Sequence, residues 1–89
     1  EESLDDSAAL FEKLRSLRKE LADRTGVPPY VIFSDASLAQ MAAFKPVDRD
    51  DFLDIHGVGA HKLERYGSYF LEAIRSFLDG SARVATTQE

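Results

Sequence analysis

Four aspartates and two histidines lie close together in the second half of the sequence, where they could bind a metal ion or transfer protons. They are Asp48, Asp50, Asp51, Asp54, His56 and His61. A two-metal hydrolytic site needs carboxylates that converge in a cleft, and a chain of 89 residues has little room for one. Capping and the first turn of a short helix account for the acids. We therefore predict no metal, no cofactor and no catalytic residue in this chain.

The segment Gly57-Val58-Gly59 lies between two helical patterns and is a candidate for phosphate binding. Gly57 can adopt a positive φ at no steric cost, and Val58 can then enter the crevice between the two helices. Gly59 leaves backbone amides bare at the start of the next helix, which carries Lys62, and such amides bind phosphate. The pattern resembles a helix-hairpin-helix DNA-binding turn. The alternative is a compact joint with a purely structural role.

Three cations, Arg15, Arg18 and Lys19, fall together on one flank of the first predicted helix. Such a strip can follow a phosphate backbone. The acids of the same helix are expected toward its back: Glu12, Glu20 and Asp23. The alternative interpretation is a solvated face on which local pairs of opposite charge form along the helix.

Tyr30 follows two prolines, which hold the chain in an extended approach. An aromatic ring at the end of such a stiff segment can stack on an unpaired base. Lys13 and Arg24 of the first helix provide positive charge in its context. The alternative is that Tyr30 covers the edge of the core.

Apolar periodicity predicts the helices that must position these residues. The elements in chain order are a helix over 8–24, a short turn from Pro29 through Phe33, a helix from Ser34 or Asp35 to about Phe44, a short helix capped by Asp48, a helix through Tyr66 that is interrupted or kinked at Gly67-Ser68, and a last helix ending at Gly80. No convincing strand pattern is present. The predicted fold class is all-α, a compact bundle of about five helices with the helix-hairpin-helix-like turn.

Charge and composition divide the chain into an acidic leader (1–7), a helical domain (8–80) and a disordered tail (81–89). The whole chain carries a net charge of −5, but the domain holds 10 basic and 11 acidic side chains, a net of −1. The absence of cysteine excludes disulfides and thiolate zinc sites. The apolar runs are too short to span a membrane. Because the chain does not begin with Met, we expect a piece of a longer protein or a processed product.

Two stretches taken together resemble the HRDC (helicase and RNase D C-terminal) domain. They are LFEKLRSLRKELADRTGVPPYVIFSDASLAQMA, over 10–42, and FLDIHGVGAHKLERYGSYFLEAIRSFLDG, over 52–80. The segment VPPYVIFSD is most similar to the version found in bacterial RecQ helicases. The resemblance covers about residues 8–80, and its two motifs occur in the family's order.

The resemblance implies an accessory domain at the C-terminal end of an ATP-dependent DNA helicase, with the ATPase elsewhere in the chain. Such domains bind single-stranded or branched DNA weakly and adjust substrate choice in DNA repair and recombination. The positions that match the family's DNA contacts are Arg15, Arg18, Lys19, Arg24 and Tyr30; the GVG turn adds Gly57, Gly59 and Lys62. We expect a monomer that is not itself an enzyme, in a bacterial cytoplasm at the nucleoid, without membrane contact.

A second function class remains open at this point. The nearly neutral domain suits a protein–protein or interdomain module that docks onto the helicase core of the same chain, or onto a protein partner, and regulates it. The acidic stretch from Asp48 to Asp54 would then contact a basic surface.

Overall fold

The fold consists of helices joined by short turns. The computed structural model describes the backbone of residues 2–87 and the side chains of residues 7–80. The elements are α1 (Glu2–Thr25), α2 (Pro29–Ile32), α3 (Asp35–Phe44), α4 (Arg49–Leu53), α5 (Ala60–Lys62), a π-helical turn (Leu63–Gly67) and α6 (Ser68–Thr87). Because α5, the π-helical turn and α6 run on without a break, the described chain forms five helices and no strand. The predicted all-α bundle is confirmed.

Helix α1 packs on the core through its leucine stripe. Leu10 and Leu14 are fully buried and Leu21 is nearly so, whereas Leu17 is only partly buried. The helix ends as predicted at Gly26, which has a φ of 74° and donates its N–H to the carbonyl of Ala22 at 2.8 Å. A glycine in this conformation satisfies a last-turn carbonyl and stops the helix.

Helices α3 and α4 begin at the polar caps that the sequence predicts. The Ser34 hydroxyl accepts a hydrogen bond from the backbone N–H of Ser37 at 3.1 Å. The Asp48 carboxylate accepts one from the N–H of Asp51 at 2.8 Å. Each bond satisfies an N–H that the first turn of a helix leaves without an intrahelical partner.

Phe33, which directly follows α2, lies at the centre of the core. Its ring makes edge-to-face contacts with Phe52 of α4, Tyr66 of the π-helical turn and Phe70 of α6, with centroid distances of 6.0, 6.3 and 5.0 Å. Aromatic rings prefer this arrangement at such distances. One residue therefore fixes the end of α2 against three later elements.

Two predicted helix boundaries are wrong, and the predicted interruption at Gly67-Ser68 has a different form. Helix α1, predicted over 8–24, begins at Glu2. At Gly67-Ser68, where an interruption or a kink was expected, the helix continues through the π-helical turn, and a Cβ on Gly67 would overlap the side chain of Leu63. The last helix, predicted to end at Gly80, runs to Thr87, so that boundary is wrong. The side chains of the leader residues 1–6 and of residues 81–89 lie outside the described residues, and the division into leader, domain and tail stays a prediction.

Candidate nucleic-acid interface

The three predicted cations of α1 line one shallow concavity together with the start of α2. The concavity has a volume of about 330 Å³. Its lining residues are Glu12, Arg15, Ser16, Arg18, Lys19, Asp23 and Pro29. Helix α1 and the segment that begins with the two prolines (residues 28–33, the proline segment) thus border one concavity. Glu12 and Asp23, however, share the concavity instead of lying behind it, so their predicted position is wrong.

Two of the cations form exposed ion pairs within α1. Arg15 contacts Glu12 and Lys19 contacts Asp23, each at 3.2 Å, and all four side chains are at least half exposed. These are the local pairs of the alternative interpretation. Exposed pairs of this kind contribute little free energy. A phosphate could therefore replace either carboxylate at small cost.

Arg18 is placed differently from its two neighbours. Its side chain is only 11% exposed, and its Nη2 lies 2.8 Å from the Asp35 carboxylate. Its Nη1 donates a hydrogen bond to the backbone carbonyl of Phe33 at 2.9 Å. The guanidinium is therefore committed to the segment between α2 and α3.

Tyr30 and Arg24 have the exposure that contact with a ligand requires. Tyr30 is 71% exposed, so it does not cover the core as the alternative supposed. The side chain of Arg24, in the last turn of α1, is exposed and makes no hydrogen bond or ion pair with any residue whose side chain the structure describes. Neither residue lines the concavity of Arg15, Arg18 and Lys19.

The GVG turn is built as predicted, and side chains of α3 hold it in place. Gly57 has a φ of 83° and Val58 is 8% exposed, in the crevice between the helices. The buried Ser37 hydroxyl donates to the carbonyl of His56. The amide oxygen of Gln40 accepts the His56 N–H at 2.9 Å. Position 59 is open, because a Cβ on Gly59 would meet nothing within 4 Å.

Lys62 connects the turn with the proline segment. Its ammonium group lies 5.7 Å from the centroid of the Phe33 ring, within the range of a cation–π interaction. Since Phe33 also binds Arg18 through its carbonyl, the two predicted regions adjoin at this residue. The role of Gly57, Gly59 and Lys62 in phosphate binding stays a prediction.

A larger groove between α1 and α6 was not found from the sequence. It has a volume of about 760 Å³. Its lining residues are Lys13, Ser16, Leu17, Glu20, Ser68, Tyr69, Glu72, Ala73 and Ser76. The partial exposure of Leu17 within the leucine stripe is the consequence of this groove, and periodicity alone treats that leucine as core.

The aspartates and histidines of the first candidate do not form a cage. Among residues 7–80, no group of three or more His, Asp or Glu side chains is arranged to hold a metal ion. Within the same part of the chain, the carboxylates of Asp50, Asp51 and Asp54 contact no cation. No described helix has the length and apolar character that crossing a bilayer requires.

The five-helix arrangement, the proline segment and the glycine turn together define an HRDC domain. The family model for that domain matches residues 7–74. The chain belongs to the HRDC family, and the resemblance stated from the sequence is confirmed.

Similar proteins of known name show in which kind of protein such an HRDC domain occurs. The chain is similar to the ATP-dependent DNA helicase RecQ of Bacillus subtilis, with 48% identity over 68 residues, covering 76% of this chain and 12% of that protein. RecQ of Haemophilus influenzae is 47% identical over 66 residues, covering 74% of this chain and 11% of that protein. The helicase UvrD2 of Mycobacterium tuberculosis is 41% identical over 66 residues, 74% of this chain and 9% of that protein. The chain thus spans a small fraction of the length of each relative.

A solved structure shares the fold. Domain 3 of the HRDC domains of D. radiodurans RecQ superposes with a TM-score of 0.79 at 38% sequence identity. The match covers 82% of this chain and 96% of that one. The chain therefore corresponds to almost a whole HRDC domain, and it is similar to those of bacterial RecQ helicases.

Proposed function

We propose that this chain is an accessory DNA-binding domain of a RecQ-type, ATP-dependent DNA helicase. In this proposal the domain binds single-stranded or branched DNA weakly and adjusts substrate choice in repair and recombination. It does so as a monomer in the bacterial cytoplasm, with no catalysis of its own. The observation that carries the proposal is the exposed ring of Tyr30 beside a cation-lined concavity, in a chain whose relatives are named DNA helicases.

The chemistry of this surface favours weak binding that is independent of sequence. A base has a π-face whatever its identity, so stacking on Tyr30 requires no particular base. Arg15 and Lys19 can exchange their exposed carboxylate partners for phosphates, and Arg24 is already unpaired among the residues with described side chains. Since the domain is nearly neutral, we expect a Kd of roughly 10⁻⁵ M or weaker, near the range of non-specific binding.

Replacing Tyr30 tests the proposal. Tyr30→Ala should weaken binding of a fluorescent single-stranded oligonucleotide by about 5- to 100-fold, because one stacked base is lost. The dependence of log Kd on log salt should stay unchanged, because no phosphate contact is removed. Fluorescence anisotropy at two or more salt concentrations measures both quantities.

Tyr69→Ala is the matched control for this experiment. Tyr69 is also exposed, at 47%, but it lines the groove between α1 and α6 and lies on a different helix from the cations of the concavity. We expect its replacement to leave DNA affinity unchanged. Equal losses in both variants, or no binding by the parent chain at low salt, would contradict the proposal.

One observation favours docking onto the helicase core as a second candidate. Helix α4 and its C-cap expose Asp50, Asp51 and Asp54 together with Leu53, which is 40% exposed. Exposed acids beside an exposed apolar side chain are suited to contact with a basic protein surface. If the domain does not bind DNA, but charge reversal of these acids alters the activity of the full-length helicase, docking is the function.

A further inference from the structure

Helix α2, which carries Tyr30, is too short to hold its own position. It contains four residues, and its N-cap, Pro28, makes no side-chain capping bond. The N–H of Val31 bonds to the Pro28 carbonyl at 3.0 Å, which closes a single turn. Because a first helical turn is unfavourable in isolation, tertiary contacts must set the direction in which the Tyr30 ring points.

Arg18 makes polar contacts at the far end of this segment and shares a concavity with its first residue. At the far end, its guanidinium binds the Phe33 carbonyl at 2.9 Å and the Asp35 carboxylate at 2.8 Å. At the near end, Arg18 lines the same concavity as Pro29, the first residue of α2. The planar guanidinium presents several donors in a fixed geometry, which a lysine cannot reproduce.

The burial of Arg18 indicates that its contacts with Phe33 and Asp35 are kept at a cost in desolvation free energy. Its Nε is buried and has no hydrogen-bond partner among residues 7–80. A buried donor without a partner is unfavourable. Turning the guanidinium toward a phosphate would also leave the Phe33 carbonyl without its donor. Arg15 and Lys19 meet neither obstacle, because they are exposed and bind only exposed carboxylates.

We propose that Arg18 is a positioning residue: it fixes α2 so that Tyr30 faces the DNA, and it does not itself bind phosphate. This inference rests on the proposed function, namely DNA binding at Tyr30. It separates the α1 cations into two kinds, with Arg15 and Lys19 facing the ligand and Arg18 holding the segment that carries the stacking ring.

The Asp35→Asn substitution distinguishes positioning from phosphate binding by the sign of its effect. If Arg18 binds phosphate, loss of its acidic partner frees it and makes the surface more positive, so DNA binding tightens. If Arg18 positions α2, the same substitution loosens the segment, and we expect binding to weaken by about three- to tenfold. Asp23→Asn is the matched control, because it removes the acidic partner of Lys19, and it should tighten binding.

Arg18→Lys provides a second variant that keeps the positive charge. Positioning predicts that it weakens binding about as much as Arg18→Gln and leaves the salt dependence unchanged. In a Tyr30→Ala background, Arg18→Lys, which keeps the charge, should change the affinity by less than about 1.5-fold, since Arg18 acts through that ring. Independent effects in the two backgrounds, or full binding by Arg18→Lys, would overturn the inference.

Hydrogen exchange of the Val31 amide tests, without DNA, whether Arg18 holds α2 in place. Asp35→Asn and Arg18→Lys should accelerate exchange at Val31, while Asp23→Asn should not, because only the former release α2. If the parent chain binds no DNA but both variants accelerate exchange at Val31, the proposed function fails, while the positioning of α2 by Arg18 is supported. Unchanged exchange at Val31 in both variants contradicts the positioning of α2 by Arg18.

Discussion

Two regions of the molecule differ in how firmly contacts with other elements hold them. One is the joint between α3 and the GVG turn, and the other is the basic flank of α1. At the joint, Ser37 and Gln40 bind the two backbone groups of His56, and Gly57 is held at a φ of 83°. On the flank, Arg15 and Lys19 make exposed pairs with acids of their own helix. Stability is therefore concentrated at the joint, whereas the flank can change partners at little cost.

Gly57→Val should produce the largest loss of stability. Valine is disfavoured at this positive φ, and its Cβ would lie 2.5 Å from the Ser37 hydroxyl oxygen. We expect the free energy of unfolding to fall by about 2–4 kcal/mol, a large share of the stability of so small a domain. Thermal or urea denaturation followed by circular dichroism measures the change.

Gly59→Val is the control for that substitution. Gly59 has a φ of −104°, and a Cβ there would meet open space. The cost should stay below about 1 kcal/mol, which reflects only a poorer helix N-cap. If both variants lost the same stability, the joint would not be the more constrained region.

Ser37→Ala should have an intermediate effect. Ser37 is 1% exposed, and its hydroxyl donates to the His56 carbonyl, so the substitution removes a hydrogen bond that α3 makes to the turn. We expect a loss of about 1–2 kcal/mol in the free energy of unfolding. The exposed Ser76 serves for comparison, and Ser76→Ala should change stability by less than about 0.5 kcal/mol.

Lys19→Gln should have the smallest effect on stability and a distinct effect on binding. Because Lys19 and Asp23 are 74% and 70% exposed, loss of the pair should change the free energy of unfolding by less than about 0.5 kcal/mol. If Lys19 contacts a phosphate, the slope of log affinity against log salt should become shallower by about 0.7. A destabilisation comparable to that of Ser37→Ala would remove the contrast between the two regions.

Most of the fold could be predicted because its signals are local. The caps at Ser34 and Asp48 and the turn at Gly57 depend on a few neighbouring residues, and the structure confirms each one. The boundary at Gly80 was wrong because glycine lowers helix stability without forbidding a helix. Similarly, Gly67 marks a widened turn, and the helix continues past it.

The candidate interface was only partly predictable because its decisive contacts join distant parts of the chain. The helical angle correctly grouped Arg15, Arg18 and Lys19, but it could not show that Arg18 turns inward to Phe33 and Asp35. Likewise, the apolar periodicity of the sequence gave no reason to place Phe33 in contact with three other aromatic rings. Side-chain charge, read from a helical projection alone, does not distinguish a cation that is available to a ligand from one that is committed to the fold.

The ring cluster around Phe33 also affects when, during synthesis, each part of this molecule can fold. All three partner rings follow Phe33 in the chain, and the last of them is Phe70. During synthesis, the proline segment emerges from the ribosome long before the residues that pack beneath it. The Tyr30 surface can therefore become ordered only after translation has passed Phe70, and a chain truncated before that point lacks the support for its candidate interface.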